Sequence, residues 1–348
     1  MKSRVIFVLL LVLLPACQSL NTLDRPGEVW PTHGWASETP ESQGMDAAIL
    51  SGGMDYIEQN DLLLHSLLII RHGVIVSETY FSSYQADTLH EQWSVTKSFT
   101  STALGIALDQ GKLQDVDQLV LDSFPGQEFA NTDARKESMR IKDLLTMTSG
   151  LGWVEADATF TAMYRSSDWV KFVLDLPMVA DPGSKFLYCS GCSHVLSAIV
   201  QQGTGQNPRD FLQANLFKPL GIKKYTWEED AQGLSIGGWG LSLAPRDMAK
   251  LGYLYLHKGQ WEGQQIVSQA WVEVATHKQV TTEGENGYGY QWWIFPELGG
   301  YAALGRYGQT IFVAPEQDLI VVTTAQVQDH DGILRLIQDF ILKAVLEK

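Results

Sequence analysis

The sequence predicts an α/β (α+β) domain in which one antiparallel sheet is assembled from both ends of the chain and a helical lobe is inserted between them. Three observations carry this. "HSLLIIRHGVIVSETYF" places β-rich runs on either side of His72-Gly73, a hairpin pattern. "TIFVAPEQDLIVVTT" repeats that design near the carboxyl end, with Pro315 to Asp318 as the turn. Between the two, the apolar spacing changes to a helical period.

In chain order, residues 1–16 read as a secretory leader: Lys2 and Arg4 precede an apolar run, Val5 to Leu14, too short to span a bilayer. "LLPAC" resembles a bacterial lipobox. The resemblance implies lipidation of Cys17 and, with Gln18 following, an exported lipoprotein of the outer membrane facing the periplasm; an ordinary cleavage near Ala16 is the alternative. Residues 17–40, rich in Thr, Pro, Gly and Ser, would be a tether. A catalytic domain, 41–348, then divides into a sheet lobe of about 41–125 and 235–348 and a helical lobe of about 126–234.

The first hairpin is followed by a buried helix in "SVTKSFTSTALGIALDQG", with Val95, Phe99, Ala103 and Ile106 on one stripe and Gly111 at its end. "RIKDLLTMTSGL" and "PRDFLQANLF" are short helices. "SSDWVKFVLDLP" spaces Trp169, Phe172, Val173 and Leu176 as a helix face that Pro177 stops. The last segment puts Ile333, Ile337, Phe340 and Ile341 on a stripe suited to covering the sheet.

Charge and cysteine content restrict the function. With 25 basic against 40 acidic residues the chain carries a net charge of −15, which disfavours nucleic acid and any polybasic membrane patch. The only expected membrane contact is the lipid anchor. Histidine spacing supports no metal site, and no cofactor motif is visible. Beyond Cys17, two cysteines remain in "YCSGCS". Cys189 and Cys192 read as small buried thiols in preference to a disulfide, and a redox role is weaker still.

An ammonium group in a core helix needs a reason. Ser94 and Lys97 lie on one side of the helix at its amino-terminal turn, within reach of each other. Burial and the helix dipole lower a lysine pKa, so its neutral form can take a proton from serine. By itself, S-x-x-K is a common chance match.

Several ordered blocks make it specific: "SVTKSFTSTALGIALDQGKL", "IKDLLTMTSGLGW", "DPGSKFLYCSG", "GGWGLSLAPRDMAKLGYLYL" and "YGYQWW". From about Trp35 onward the chain resembles the serine β-lactamase/penicillin-binding-protein superfamily. Within it, the resemblance is to the branch of class C β-lactamases, family VIII esterases and 6-aminohexanoate-dimer hydrolase. The resemblance implies a β-lactamase/transpeptidase-like fold, an antiparallel sheet flanked by helices with an all-helical lobe, and a serine hydrolase acting on a small ester or amide through an acyl-enzyme. A β-lactamase or D-amino-peptide hydrolase and a non-catalytic envelope binding protein are the alternatives.

The same resemblance implies the site. Ser94 is the nucleophile, Lys97 its base, and Tyr188, in the family's Y-x-N slot, a phenolate sharing that role. Ser190 replaces the asparagine that binds an antibiotic side chain, so it becomes a substrate-binding candidate. The K-T-G slot falls on Arg306-Tyr307-Gly308, with Gly308 admitting the substrate and Arg306 supplying charge. The amides of Ser94 and Gln309 would then form the oxyanion hole. Trp153, Tyr164, Trp227, Trp239 and Trp293 are candidates for an aromatic wall.

Overall fold

Alternating side chains at the two ends of the chain do build one sheet. The computed structural model describes residues 30–155, 157–284 and 286–346; the leader and Cys17 lie outside them. Eight antiparallel strands run in the order Val74–Tyr80, Leu64–Arg71, Leu319–Ala325, Gln309–Ala314, Gly300–Gly305, Trp293–Phe295, Gly287–Tyr288, Val280–Thr281. The amino-terminal hairpin turns through His72 and Gly73 at φ 49° and 76°, the paired positive angles of a tight two-residue turn. Its Leu64–Arg71 strand pairs with Leu319–Ala325, Ile69 opposite Val321, which joins the two chain ends.

Period-two alternation gives each face of the sheet its own core. Leu67, Ile69, Phe312, Ala314 and Val321 pack on one side against Ile57 and the last helix, whose Ile333, Ile337 and Ile341 are buried as the stripe required. Phe340 sits at the edge of that stripe and tilts against Tyr56, ring centres 5.2 Å apart. The opposite side, with Leu68, Ile70, Ile311, Val313 and Val322, shares a continuous apolar cluster with the inserted helices. In the Trp169–Asp175 helix the buried face is Trp169, Val170, Val173 and Leu174. Phe172 and Leu176, expected there, are only half-buried: the buried positions i, i+1, i+4 and i+5 leave Phe172 beside that face, and Leu176 is the C-cap beyond the last turn.

The Thr96–Asp109 helix lies at the junction, against the Ser190–Thr204 helix on one side and the Gly300–Gly305 strand on another. Its residues 96–107 are all buried, so its hydroxyls need partners. Ser98 donates to the Gln291 carbonyl at 2.7 Å, Ser101 to Tyr290 at 2.7 Å and Thr100 to Gly237 at 2.9 Å. The helix carrying the S-x-x-K pair is thereby fixed to the segments at Gly237 and at Tyr290-Gln291.

One boundary moves. The tether expected to reach residue 40 ends earlier, since Trp35 is 8% exposed, its indole donates to the Arg246 carbonyl at 2.9 Å, and Glu38 bonds the backbone of Ile75 at 3.0 Å. Two tryptophans in a Thr- and Pro-rich stretch bury enough apolar area to hold it down.

Candidate active site

Ser94 sits in a one-turn 3₁₀ segment, Trp93–Val95, that leads into the Thr96–Asp109 helix. Trp93 is held at φ 48°, a strained angle for a bulky residue of the kind found where a side chain must be presented to a cleft. Lys97, 1% exposed, meets three oxygens: Ser94 Oγ at 2.9 Å, Ser190 Oγ at 2.9 Å and the Gly238 carbonyl at 2.8 Å. Burial brings its pKa down to about 8, against the opposing field of the Glu155 carboxylate. The structure therefore places Ser94 and Lys97 together, with a lysine that has a neutral fraction near neutral pH.

Tyr188 completes the cluster. Its ring centre is 5.0 Å from Lys97 Nζ, and its phenol shares a hydrogen bond with Ser94. Burial pushes that phenol well above its usual range; the Ser94 bond pulls it back only in part, and Glu155 pushes it further up. The expected phenolate is thus a neutral phenol in the resting site.

Ser190 opens the Ser190–Thr204 helix, and the residues before it correct the cysteine reading: Cys189 and Cys192 form a disulfide. Cys189 is the N-cap and Cys192 lies in the first turn, so their Cα atoms are 5.2 Å apart, within the range a disulfide spans. The bridge closes the first turn of the helix around Ser190 and Gly191, directly after Tyr188.

Glu155 is the site residue the sequence did not reveal. It accepts from Ser190 Oγ at 2.6 Å, from the Ser190 amide at 3.0 Å and from the Trp153 indole at 2.6 Å. Ser190, expected to bind substrate, is instead committed to Lys97 and Glu155. Trp153, expected in an aromatic wall, is 1% exposed and orients Glu155. A lone glutamate in "GLGWVEADATF" has no motif; only the fold of that loop brings it to the lysine.

The third motif is displaced by three residues. A Cβ on Gly305 would lie 2.2 Å from the Gln92 carbonyl oxygen and 3.2 Å from the Ser94 amide nitrogen, so this strand end is pressed against the nucleophile. A Cβ on Gly308 would instead meet Ile333, Val327 and Ala325, on the face of the sheet covered by the last helix. The slot is therefore Ala303-Leu304-Gly305, and Arg306-Tyr307-Gly308 forms the turn after it. Gln309 begins the next strand, its side chain donating to the Ala325 carbonyl at 2.9 Å. Arg306 is exposed, with its guanidinium over the rings of Trp93 at 5.7 Å and Tyr307 at 4.8 Å.

Among the other aromatic candidates, Trp293 stacks on Tyr188 with ring centres 5.9 Å apart. Trp239 follows Gly238 and lies between Phe160 and Trp169. Tyr164, 60% exposed, packs on the outer side of Trp169. Trp227 is a buried brace, donating to the Ile236 carbonyl at 2.9 Å. Among the described residues no group of three or more His, Cys, Asp or Glu side chains is arranged to hold a metal.

The Beta-lactamase family profile matches residues 54–344. The 6-aminohexanoate-dimer hydrolase of Paenarthrobacter ureafaciens is 26% identical over 337 residues, spanning 88% of this chain and 85% of that protein. Among solved structures, EstCE1, a hydrolase with promiscuous acyltransferase activity, superposes with a TM-score of 0.72 at 19% identity, covering 86% of this chain and 98% of its own. A putative 6-aminohexanoate-dimer hydrolase from Bacillus anthracis gives 0.71 at 21%, with coverages of 83% and 80%. The fold of these structures is the β-lactamase/transpeptidase-like one.

Proposed function

The chain belongs to the beta-lactamase family, and from that premise we propose that it is a serine hydrolase cleaving an ester or amide bond of a small substrate through an acyl-enzyme. The observation that carries the reading is the contact of Ser94 Oγ with a buried, pKa-lowered Lys97.

Neutral Lys97 takes the Ser94 proton as Oγ bonds to the substrate carbonyl carbon. The oxyanion is met by the Ser94 amide and by that of Arg306, the residue after Gly305, in the role first given to Gln309. Collapse breaks the bond to the alcohol or amine, which leaves with the proton held by Lys97. Tyr188, a neutral phenol on Ser94, relays that proton. Water then attacks the acyl carbon as Lys97 takes its proton, and collapse breaks the Ser94 Oγ–acyl bond, the Lys97 proton returning to Oγ as the acid leaves. Glu155 holds Ser190 in place and balances the ammonium formed in each half-reaction.

Short-chain p-nitrophenyl esters are expected to be hydrolysed faster than a chromogenic cephalosporin, because Ser190 is engaged by Lys97 and Glu155 and is not free for an antibiotic side-chain amide. Comparison of kcat/KM for the two substrates decides; efficient cephalosporin turnover with slow ester cleavage reverses the assignment.

We place the enzyme at the outer membrane, facing the periplasm, through lipidation of Cys17, a reading supported by "LLPACQ". More than one acyl chain, at about 0.8 kcal/mol per buried methylene, gives stable anchoring. Cys17→Ser is expected to move the protein out of the membrane fraction, while a chain starting at Trp30 keeps its activity. Wild-type protein recovered wholly soluble with an unmodified amino terminus would identify an ordinary cleavage site.

A further inference from the structure

Behind the Lys97 pocket lies a pair of buried titratable groups that the acyl-enzyme chemistry does not touch. The side chains of His194 and Asp230 are 0% and 1% exposed, with Nε2 3.0 Å from Oδ2. The Gly237 amide donates to His194 Nδ1 at 3.4 Å. An acceptor at Nδ1 leaves the imidazole proton on Nε2, so His194 donates to Asp230. The other Asp230 oxygen accepts from the Gln232 and Leu234 amides at 2.8 and 3.0 Å. Burial pushes the Asp230 carboxyl up, but His194 and these amides outweigh it and hold the group below its usual range. Trp169 closes the remaining side of the imidazole, ring centres 5.3 Å apart.

The segment this pair grips is the one that meets the lysine. Four successive carbonyls are each held by a different side chain: Ser235 by Ser197 at 2.6 Å, Ile236 by Trp227 at 2.9 Å, Gly237 by Thr100 at 2.9 Å and Gly238 by Lys97 at 2.8 Å. Gly237 is also pressed on the neighbouring helix, where a Cβ would come 2.1 Å from the Ser193 carbonyl oxygen. Thr100 and His194 thus hold the Gly237 residue at its two ends, carbonyl and amide, next to the carbonyl that Lys97 uses.

We propose that His194, oriented by Asp230, is a positioning residue for catalysis: it fixes the Gly237–Gly238 segment so that the Gly238 carbonyl holds Lys97 against Ser94. The inference rests on Lys97 being the base. A carbonyl stabilises the ammonium form more than the neutral amine. If Gly238 drifts away, the Lys97 pKa falls further below its present value of about 8. The acid limb of kcat/KM then moves to lower pH while the correctly placed fraction of the base declines. The other groups facing Lys97 are Ser94, Tyr188, Ser190 and Glu155, and the variants below alter none of them.

The test uses His194→Gln, which retains a donor toward Asp230 but loses the Nδ1 acceptor, and Thr100→Val, which releases the same residue from its other side. His194→Gln is expected to lower kcat about ten- to a hundredfold. KM should stay within about twofold, with the acid limb displaced to lower pH. Thr100→Val should show the same signature more weakly. Folded variants with wild-type kcat and an unmoved limb overturn the proposal, as does a loss confined to KM. Should His194→Gln not fold, Thr100→Val alone decides by the same criteria. Absence of fluorophosphonate labelling at Ser94 in the wild-type protein would instead mark failure of the hydrolase reading itself.

Discussion

Ser94→Ala is expected to abolish ester turnover while leaving the fold intact. The substitution deletes the oxygen that Lys97 activates to attack a carbonyl, and it takes one hydrogen bond each from Lys97 and from the Tyr188 phenol. Lys97 keeps Ser190 Oγ and the Gly238 carbonyl as acceptors, and Tyr188 keeps its stacking on Trp293. Lys97→Met should be nearly as damaging, because nucleophile and base act as one unit; in such units the loss reaches about 10⁶ in kcat and the double variant is hardly worse than either single one. Steady-state hydrolysis of a p-nitrophenyl ester, with mass spectrometry after a fluorophosphonate probe, reads all three proteins. Near-wild-type turnover by Ser94→Ala refutes the assignment, and a double variant far below both singles refutes the coupling. In the wild-type enzyme, kcat/KM should rise with pH through about 8, since only the neutral amine takes the serine proton.

How much of this could be read from the sequence depends on how local each signal is. Both hairpins were legible because alternation and turn residues act over a few positions, and they led directly to a sheet closed by the two chain ends. Ser94 and Lys97 were legible because one helical turn fixes their separation whatever surrounds them. Glu155 was not, since it reaches Ser190 across 35 residues of chain and its meaning comes from that partner alone. Neither was the role of Gly238, whose contribution is a backbone carbonyl that any residue carries. The disulfide was not legible, because whether Cys189 and Cys192 can bridge depends on the geometry of a helix start, which composition and spacing do not carry. Tyr188 lies beside Lys97 and Ser94, and its protonation depends on burial, which no motif encodes.

The third motif ends at Gly305, against the Ser94 amide, and that register predicts a large and selective effect. "ALGRYGQ" offers two glycines three residues apart, and a sequence pattern does not say which one faces the nucleophile. Gly305→Ala is expected to lower kcat by about 10²–10³, the cost of losing one oxyanion-hole donor. The added methyl would meet the Gln92 carbonyl oxygen at 2.2 Å, a backbone atom two residues before Ser94, so the strand end and the nucleophile turn must separate. Gly308→Ala carries a different burden. At φ 89° it forces an alanine into a left-handed conformation, and its methyl meets the flexible ends of Ile333 and Val327 at 2.6 and 2.7 Å. That strain falls on the face packed by the last helix and is expected to cost about 1–3 kcal/mol of stability, with kcat of the folded protein close to wild type. Ester kinetics alongside denaturant unfolding of the two variants separate the possibilities. Loss of kcat at Gly308 with an active Gly305→Ala would return the oxyanion hole to Gln309; the opposite pattern places it at Arg306, where the strand touches Ser94.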